Sequence, residues 1–265
     1  MDLKDHQILK ELDSNYRQSF SDIAKKVKLS KNSVILRYEK LKKYVLHNAT
    51  GINNEILGYT TVKIFYTFDF YNEKLEKEII DLVKNSKNII WAARYYGSYD
   101  LCLFLFTNDL STLITEINKF NKKFSDKIAK KEIQIIYKQY IFRNNFLYDQ
   151  QVFKDYSLGK TEKIIEISKK EKEILKLLRY NPRISIIDIS KKLNITEKTV
   201  SKLIKKMEKE FIITGYFMTV DTAKFGFSVF KLLLQVQKIK NQDEFENYIR
   251  SIKNVKYFTK MLGLW

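Results

Sequence analysis

The chain repeats itself at a separation of 166 residues, and what it repeats is a pair of short helices around a polar break. In the first copy, Phe20 to Leu41, Ile23 and Val27 lie four apart before the break, and Val34, Tyr38 and Leu41 follow at helical spacing after it. In the second copy, Ile184 to Met207, Val200 takes the place of Val34, and Asn15, Arg17 and Ser19 fall on Asn181, Arg183 and Ser185. Asp22 and Leu29 fall on Asp188 and Ile195, while Ala24 and Ser190 match as small residues that let two helices cross closely. Ser19 with Asp22, and Ser185 with Asp188, have the spacing of a capping box, so each copy starts its first helix on a hydroxyl. Ser30 stands where the next helix begins. Helix, tight turn and helix is how many proteins seat a helix in the DNA major groove, although two packed helices in any helical domain share the pattern.

Charge narrows the partner. Across 265 residues the formal net charge is +18, which favours a polyanion: nucleic acid first, an anionic membrane surface second. A hydrophobic content of 45% suits two or three folded domains rather than a basic tail. The single cysteine, Cys102, lies in the apolar run LCLFLF, so a buried inert thiol is expected and a disulfide within the chain is excluded. No apolar stretch reaches the length of a membrane span, and the opening MDLKDHQ is too polar for a secretory signal; a cytoplasmic protein with no membrane partner is expected. The two histidines, His6 and His47, are too far apart in sequence to suggest a metal site, and no cofactor motif stands out.

Between the helical copies the period changes from helical to alternating. YTTVKIFYTF, NIIWAARYYG, YDLCLFLFT and EIQIIYKQYIF read as strands, with amphipathic helices over NEKLEKEIIDLVKN and LSTLITEINKFNKKF. The order βαββαβ predicts an α+β, ferredoxin-like sheet with both helices on one face. Its other face then needs a cover, for which a second copy's sheet is the expected candidate, with Phe65, Phe104 and Tyr137 in the core or on that surface. After the second helical copy, GFSVFKLLLQV, EFENYIRSI and NVKYFTKMLGLW repeat the first strand, helix and second strand, with Gly263 on Gly97 and Trp265 on Tyr99. The positions matching Asp100 and the rest of the sheet are missing, so a fragment of a longer protein, or a domain completed by a partner, is expected.

Helix-turn-helix followed by βαββαβ resembles the leucine-responsive and asparagine-synthetase regulator (Lrp/AsnC) family of transcription factors, whose sheet domain is called RAM. The resemblance rests on Asn181-Pro182-Arg183-Ile184-Ser185, Ile195-Thr196-Glu197-Lys198-Thr199-Val200, ITGY at Ile213 to Tyr216, Gly97-Ser98-Tyr99-Asp100 and LSKNSVILRYEKL. It implies a winged helix-turn-helix at 1–55, a RAM-like domain at 56–143, a connector at 144–168, a second winged helix-turn-helix at 169–222 and an incomplete second RAM-like domain at 223–265. Where the family usually carries glycine just after the recognition helix, this chain has Val45 and Phe211, so strain is expected there. Leu203 replaces Arg37 in the second unit, and Ile35 and Leu36 face Ser201 and Lys202 across the repeat.

Contacts to DNA are expected from Ser30, Lys31, Asn32, Ser33 and Arg37 in the first unit and from Thr196, Glu197, Lys198, Thr199 and Lys202 in the second. The helix starts after Ser30 and Thr196 add backbone N–H groups suited to phosphate. The resemblance further implies a small effector, such as an amino acid, near Gly97, Ser98, Tyr99 and Asp100, whose residue-level reading is a hairpin turn. Expected partners are therefore double-stranded DNA, a small effector and further copies of the chain through the sheet domain. Two other classes stay open. One is an enzyme like the siroheme decarboxylases, which share the architecture; neither histidine falls in a sheet segment and no acid–base pair stands out, so a non-enzyme is expected. The other is an assembly protein whose helical domains no longer touch DNA.

Overall fold

The computed structural model describes residues 1–148, 156–159, 164–236 and 238–263, of which 156–159 are described by their backbone alone. The first unit opens on α1 (Leu3–Ser14), started by a true capping box: the Asp2 side chain accepts from Asp5 N–H, and the Asp5 side chain accepts from Asp2 N–H. Helices α2 (Phe20–Val27) and α3 (Lys31–Leu41) follow, separated by Lys28 in the left-handed region at φ 54°. A single 3₁₀ turn then leads into β1 (Val45–Ile52), the wing.

The sheet domain runs β2 (Thr60–Phe68), α4 (Glu73–Asn85), β3 (Ile89–Arg94), β4 (Leu101–Thr107), α5 (Leu110–Phe124) and β5 (Ile128–Ile141), in the expected βαββαβ order. Its strands lie antiparallel in the order β3-β4-β2-β5. Alternation decides the faces: Val62, Ile64 and Tyr66 of β2 point to the helices and pack with Leu75, Ile79, Phe120 and Phe124. Lys63 and Phe65 point the other way, where Phe65, Tyr99 and Cys102 form a small cluster of their own. Cys102 is fully buried, and burial pushes its thiol up to about 11, as an inert cysteine requires. Strand β5 extends past its partner β2, and β6 (Tyr156–Gly159), inside what the sequence reads as a connector, pairs with that extension.

The second unit copies the first with α6 (Lys169–Tyr180), α7 (Ile186–Leu193), α8 (Glu197–Lys209) and the wing β7 (Ile213–Val220). Ser168 and Glu171 rebuild the capping box of Asp2 and Asp5, and Asn194 at φ 50° rebuilds the turn of Lys28. Ile8, Leu9 and Leu12 reappear as Ile174, Leu175 and Leu178, and all six join one hydrophobic core with Ile23, Val34, Ile189 and Val200. The two units therefore share a core instead of standing as separate beads.

Several expectations need correction. The boxes expected at Ser19/Asp22 and Ser185/Asp188 are half-formed: each serine accepts from the third residue's N–H, but its hydroxyl then donates to the aspartate (2.6 and 2.7 Å). Aspartate is one methylene shorter than glutamate, and here it takes the hydroxyl rather than the cap's backbone N–H. Strain appears at Phe211, which sits at φ 57°, and not at Val45, which the preceding 3₁₀ turn delivers at φ −103°. The strand expected over GFSVFKLLLQV runs without ladder partners among the described residues, although Leu233 reaches the Phe65 cluster. The later helix α9 (Gln242–Ser251) and strand β8 (Tyr257–Leu262) do form, and β8 pairs with β5 of the first unit's sheet rather than starting a second one. Trp265, and residues 149–155 and 160–163 of the expected connector, lie outside the described residues.

Candidate nucleic-acid interface

The wings create the interface geometry. β1 and β7 pair antiparallel, with Asn48 opposite Met218, Thr50 opposite Tyr216 and Gly51 opposite Gly215. Thr50 and Tyr216 are also equivalent positions of the repeat, so the middle of this ladder is a local twofold axis relating one helical unit to the other. The arginines obey the same axis. Arg17 donates to the Pro182 carbonyl at 2.5 Å, and its equivalent Arg183 donates to the Tyr16 carbonyl at 2.5 Å. Arg183 also lies over the Phe20 ring at 4.1 Å from its centroid, and Arg17 over Tyr216 at 5.5 Å. Burial holds both guanidinium groups below their ordinary pKa. Between them opens a shallow cleft of about 340 Å³ bounded by Ser19, Lys31 and Ser185.

Helices α3 and α8 start identically. The Ser30 hydroxyl accepts from Ser33 N–H at 3.1 Å and pairs with the Ser33 hydroxyl at 2.8 Å; Thr196 and Thr199 do the same at 3.2 and 2.9 Å. The first turns are thus fixed in direction, and Lys31, Asn32, Glu197, Lys198 and Lys202 are exposed beside the half-buried Ser33 and Thr199. Leu36 is 66% exposed, an unusual place for leucine on a helix that already has a buried face. Exposed lysines Lys25, Lys26, Lys191 and Lys192 stand on the preceding helices.

Arg37, expected among the groove-facing residues, is half-buried and turned to α1. Its guanidinium spans α1, bonding Asp2 at 2.7 Å and Asp5 at 2.6 Å, so it fastens the recognition helix to the first helix. The backbone N–H of Asp5, and then Arg37, hold the Asp2 carboxyl below its ordinary pKa. In the second unit, where Leu203 stands in its place, Lys206 reaches Glu171 at 3.0 Å and makes the equivalent brace from the next turn. Neither the sequence pattern nor the spacing distinguishes the two roles; the facing acids on α1 do.

The effector candidates form the β3–β4 hairpin. Gly97 takes φ 134°, a conformation side-chain-bearing residues avoid, and the Asp100 carboxylate accepts from Phe68 N–H at 2.9 Å. The Tyr99 hydroxyl donates to Glu132 at 2.5 Å, and Ser98 offers its carbonyl to Thr67. These contacts account for the four residues as turn architecture. His6 and His47 lie on α1 and on the wing, and no group of three metal-ligating side chains occurs among the described residues. No helix among them is long and apolar enough to cross a membrane.

Known proteins match the same parts. Residues 1–42 match the model of the AsnC-type helix-turn-helix domain, and residues 167–214 that of a winged helix-turn-helix DNA-binding domain. The chain is similar to the HTH-type transcriptional regulator LrpA of Pyrococcus horikoshii, 36% identical over 63 residues that make up 24% of this chain and 45% of that protein. It is also similar to LrpB of Bacillus subtilis, 45% identical over 56 residues, 21% of this chain and 38% of the relative. The chain thus spans less than half the length of each of these two relatives. A crystal structure of the siroheme decarboxylase NirDL overlays 97% of this chain and 90% of its own at a TM-score of 0.56 and 13% identity, a likeness of fold.

Proposed function

We propose that this chain, which belongs to the Lrp/AsnC family of winged helix-turn-helix proteins, is a DNA-binding transcriptional regulator. One observation carries the reading: two capped recognition helices, each with exposed polar and basic residues on its first turns, are related by the twofold of a wing ladder within a single chain. Ser30, Lys31, Asn32 and Ser33 on α3, and Thr196, Glu197, Lys198, Thr199 and Lys202 on α8, are the proposed DNA contacts, with Arg37 as the residue that positions α3. Small-effector control near Gly97–Asp100 and assembly through the sheet domain, in a cytoplasmic setting, belong to the same proposal. The exposed Val229, Phe230 and Leu232 beside the sheet support assembly, and mass measured by light scattering should rise with concentration. A monomer at all micromolar concentrations would remove that part.

Titration of a labelled duplex in rising salt tests the core of the proposal. A protein engaging six or more phosphates should lose roughly 10³-fold in affinity between 50 and 200 mM salt. A salt-independent interaction, or none, overturns the reading. The decarboxylase likeness is one of fold, and incubation with an iron tetrapyrrole carboxylate followed by mass spectrometry separates the classes: loss of carbon dioxide would make this chain an enzyme.

A further inference from the structure

In a homodimer the two recognition helices are copies, and a twofold axis then demands an inverted repeat in the DNA. Here the axis through Thr50 and Tyr216 relates two helices that differ at every exposed or half-buried reading position. Lys31, Asn32, Ser33, Ile35 and Leu36 of α3 stand where α8 has Glu197, Lys198, Thr199, Ser201 and Lys202. Backbone, caps and left-handed turns are conserved across the axis while the chemistry is not: the first face sets Lys31 and the Asn32 amide beside apolar Ile35 and Leu36, and the second carries the charged Glu197, Lys198 and Lys202.

We infer that a single chain reads an asymmetric duplex element, two dissimilar half-sites about one helical turn apart, with α3 on an A·T-rich half and α8 on a half containing G·C pairs. The inference rests on the DNA-binding reading above and adds the kind of sequence. The chemistry assigns the halves. Asn32 presents the amide that pairs with the adenine N6/N7 edge, and the exposed Leu36 with Ile35 suits the thymine methyl. Glu197 accepts from cytosine N4, and Lys198 and Lys202 donate to guanine O6 and N7. The halves cannot drift apart, because the wing ladder, the shared core and the Arg17/Arg183 bonds fix both helices in one body.

Selection from a random-sequence duplex pool with the whole chain, followed by anisotropy titration of the winners, decides this. The expected product is a pair of unlike half-sites, and replacing either half by the inverted copy of the other should weaken binding by roughly tenfold or more. A variant carrying Lys31→Glu, Asn32→Lys, Ser33→Thr, Ile35→Ser and Leu36→Lys, which gives α3 the reading face of α8, should select an inverted repeat of the G·C-containing half. If the unaltered chain selects an inverted repeat, or a lone half-site, the inference fails while DNA binding stands. If no duplex is retained at low salt, the DNA-binding reading fails and takes the inference with it.

Discussion

Arg17 and Arg183 perform the same act on opposite units: each guanidinium donates at 2.5 Å to a carbonyl of the other helical unit, Pro182 and Tyr16. Neither bond exists within a unit, so together they report whether the two readers are held together. Arg17→Ala and Arg183→Ala should each lower stability by about 2 kcal/mol, the range for a hydrogen bond to a charged donor. Arg183→Ala should be the worse of the two, since it removes ring contacts to Tyr16, Phe20 and Tyr38, whereas Arg17→Ala removes the one to Tyr216. Denaturant melts of the two variants and of their combination check this; equal melts to the unaltered chain would mean the bonds contribute nothing.

Arg37 and Lys198 should separate by salt slope. Lys198→Ala removes an exposed cation from a helix start and should reduce the slope of log affinity against log salt by about one. Arg37→Leu, the residue the second unit already uses, should weaken binding through a loosened α3 while leaving that slope unchanged. A slope change for Arg37→Leu would return it to the DNA-contacting set.

Phe211 is exposed and held at φ 57°, a conformation that costs a side-chain-bearing residue about 1 kcal/mol or more. Phe211→Gly should therefore raise the melting temperature, by an amount equivalent to about 1 kcal/mol. The equivalent Val45→Gly should lower it, because Val45 already has ordinary extended backbone at φ −103°.

Lys256 is half-buried where β8 meets the first unit, donating to Asn144 Oδ1 at 2.8 Å, with Asp13, Arg143 and Tyr148 around the same site. Burial lowers its pKa to about 8, with Asp13 opposing that shift and Arg143 adding to it. A folded-state pKa below the unfolded value means that above pH 8 the unfolded chain binds more protons, so stability rises with pH from about 8. Tyr148, whose pKa burial raises, reverses the trend near pH 10, when the unfolded chain ionises its tyrosines. Denaturant melts at pH 7.5 and 9.5 should show the rise, and Lys256→Met should reduce it without abolishing it, because burial also lowers the pKa of Lys63 to about 8.

The helical units were legible because their signals are local. Ser30, Thr196, Ser19 and Ser185 cap where the pattern places them, and the repeat separation alone pairs Ile8 with Ile174 and Lys28 with Asn194. The βαββαβ order was equally legible, because short apolar runs such as those of β2 and β4 are separated by amphipathic helical segments. What the sequence did not disclose depends on contacts between distant segments. Nothing near Arg37 announces Asp2 as its partner, and nothing in TKML announces β5 rather than a strand of its own unit. GFSVFKLLLQV has every local property of a strand and lacks only a neighbour to pair with, which no local pattern encodes.

The wing ladder also sets an order of events during synthesis. Val45 pairs with Val220, so β1 leaves the ribosome long before its partner exists. At about 5–20 residues per second, that interval lasts roughly 10–30 s. Throughout it β1 presents an open edge, and the neighbouring nascent chain on the same message presents an identical one. Two such edges are related by the symmetry that β1 and β7 later adopt within one chain, so a polysome is a place where wings of different chains can exchange. Nascent chains arrested before Ile213 should crosslink to one another through residues 45–52, and chains released after Val220 should not.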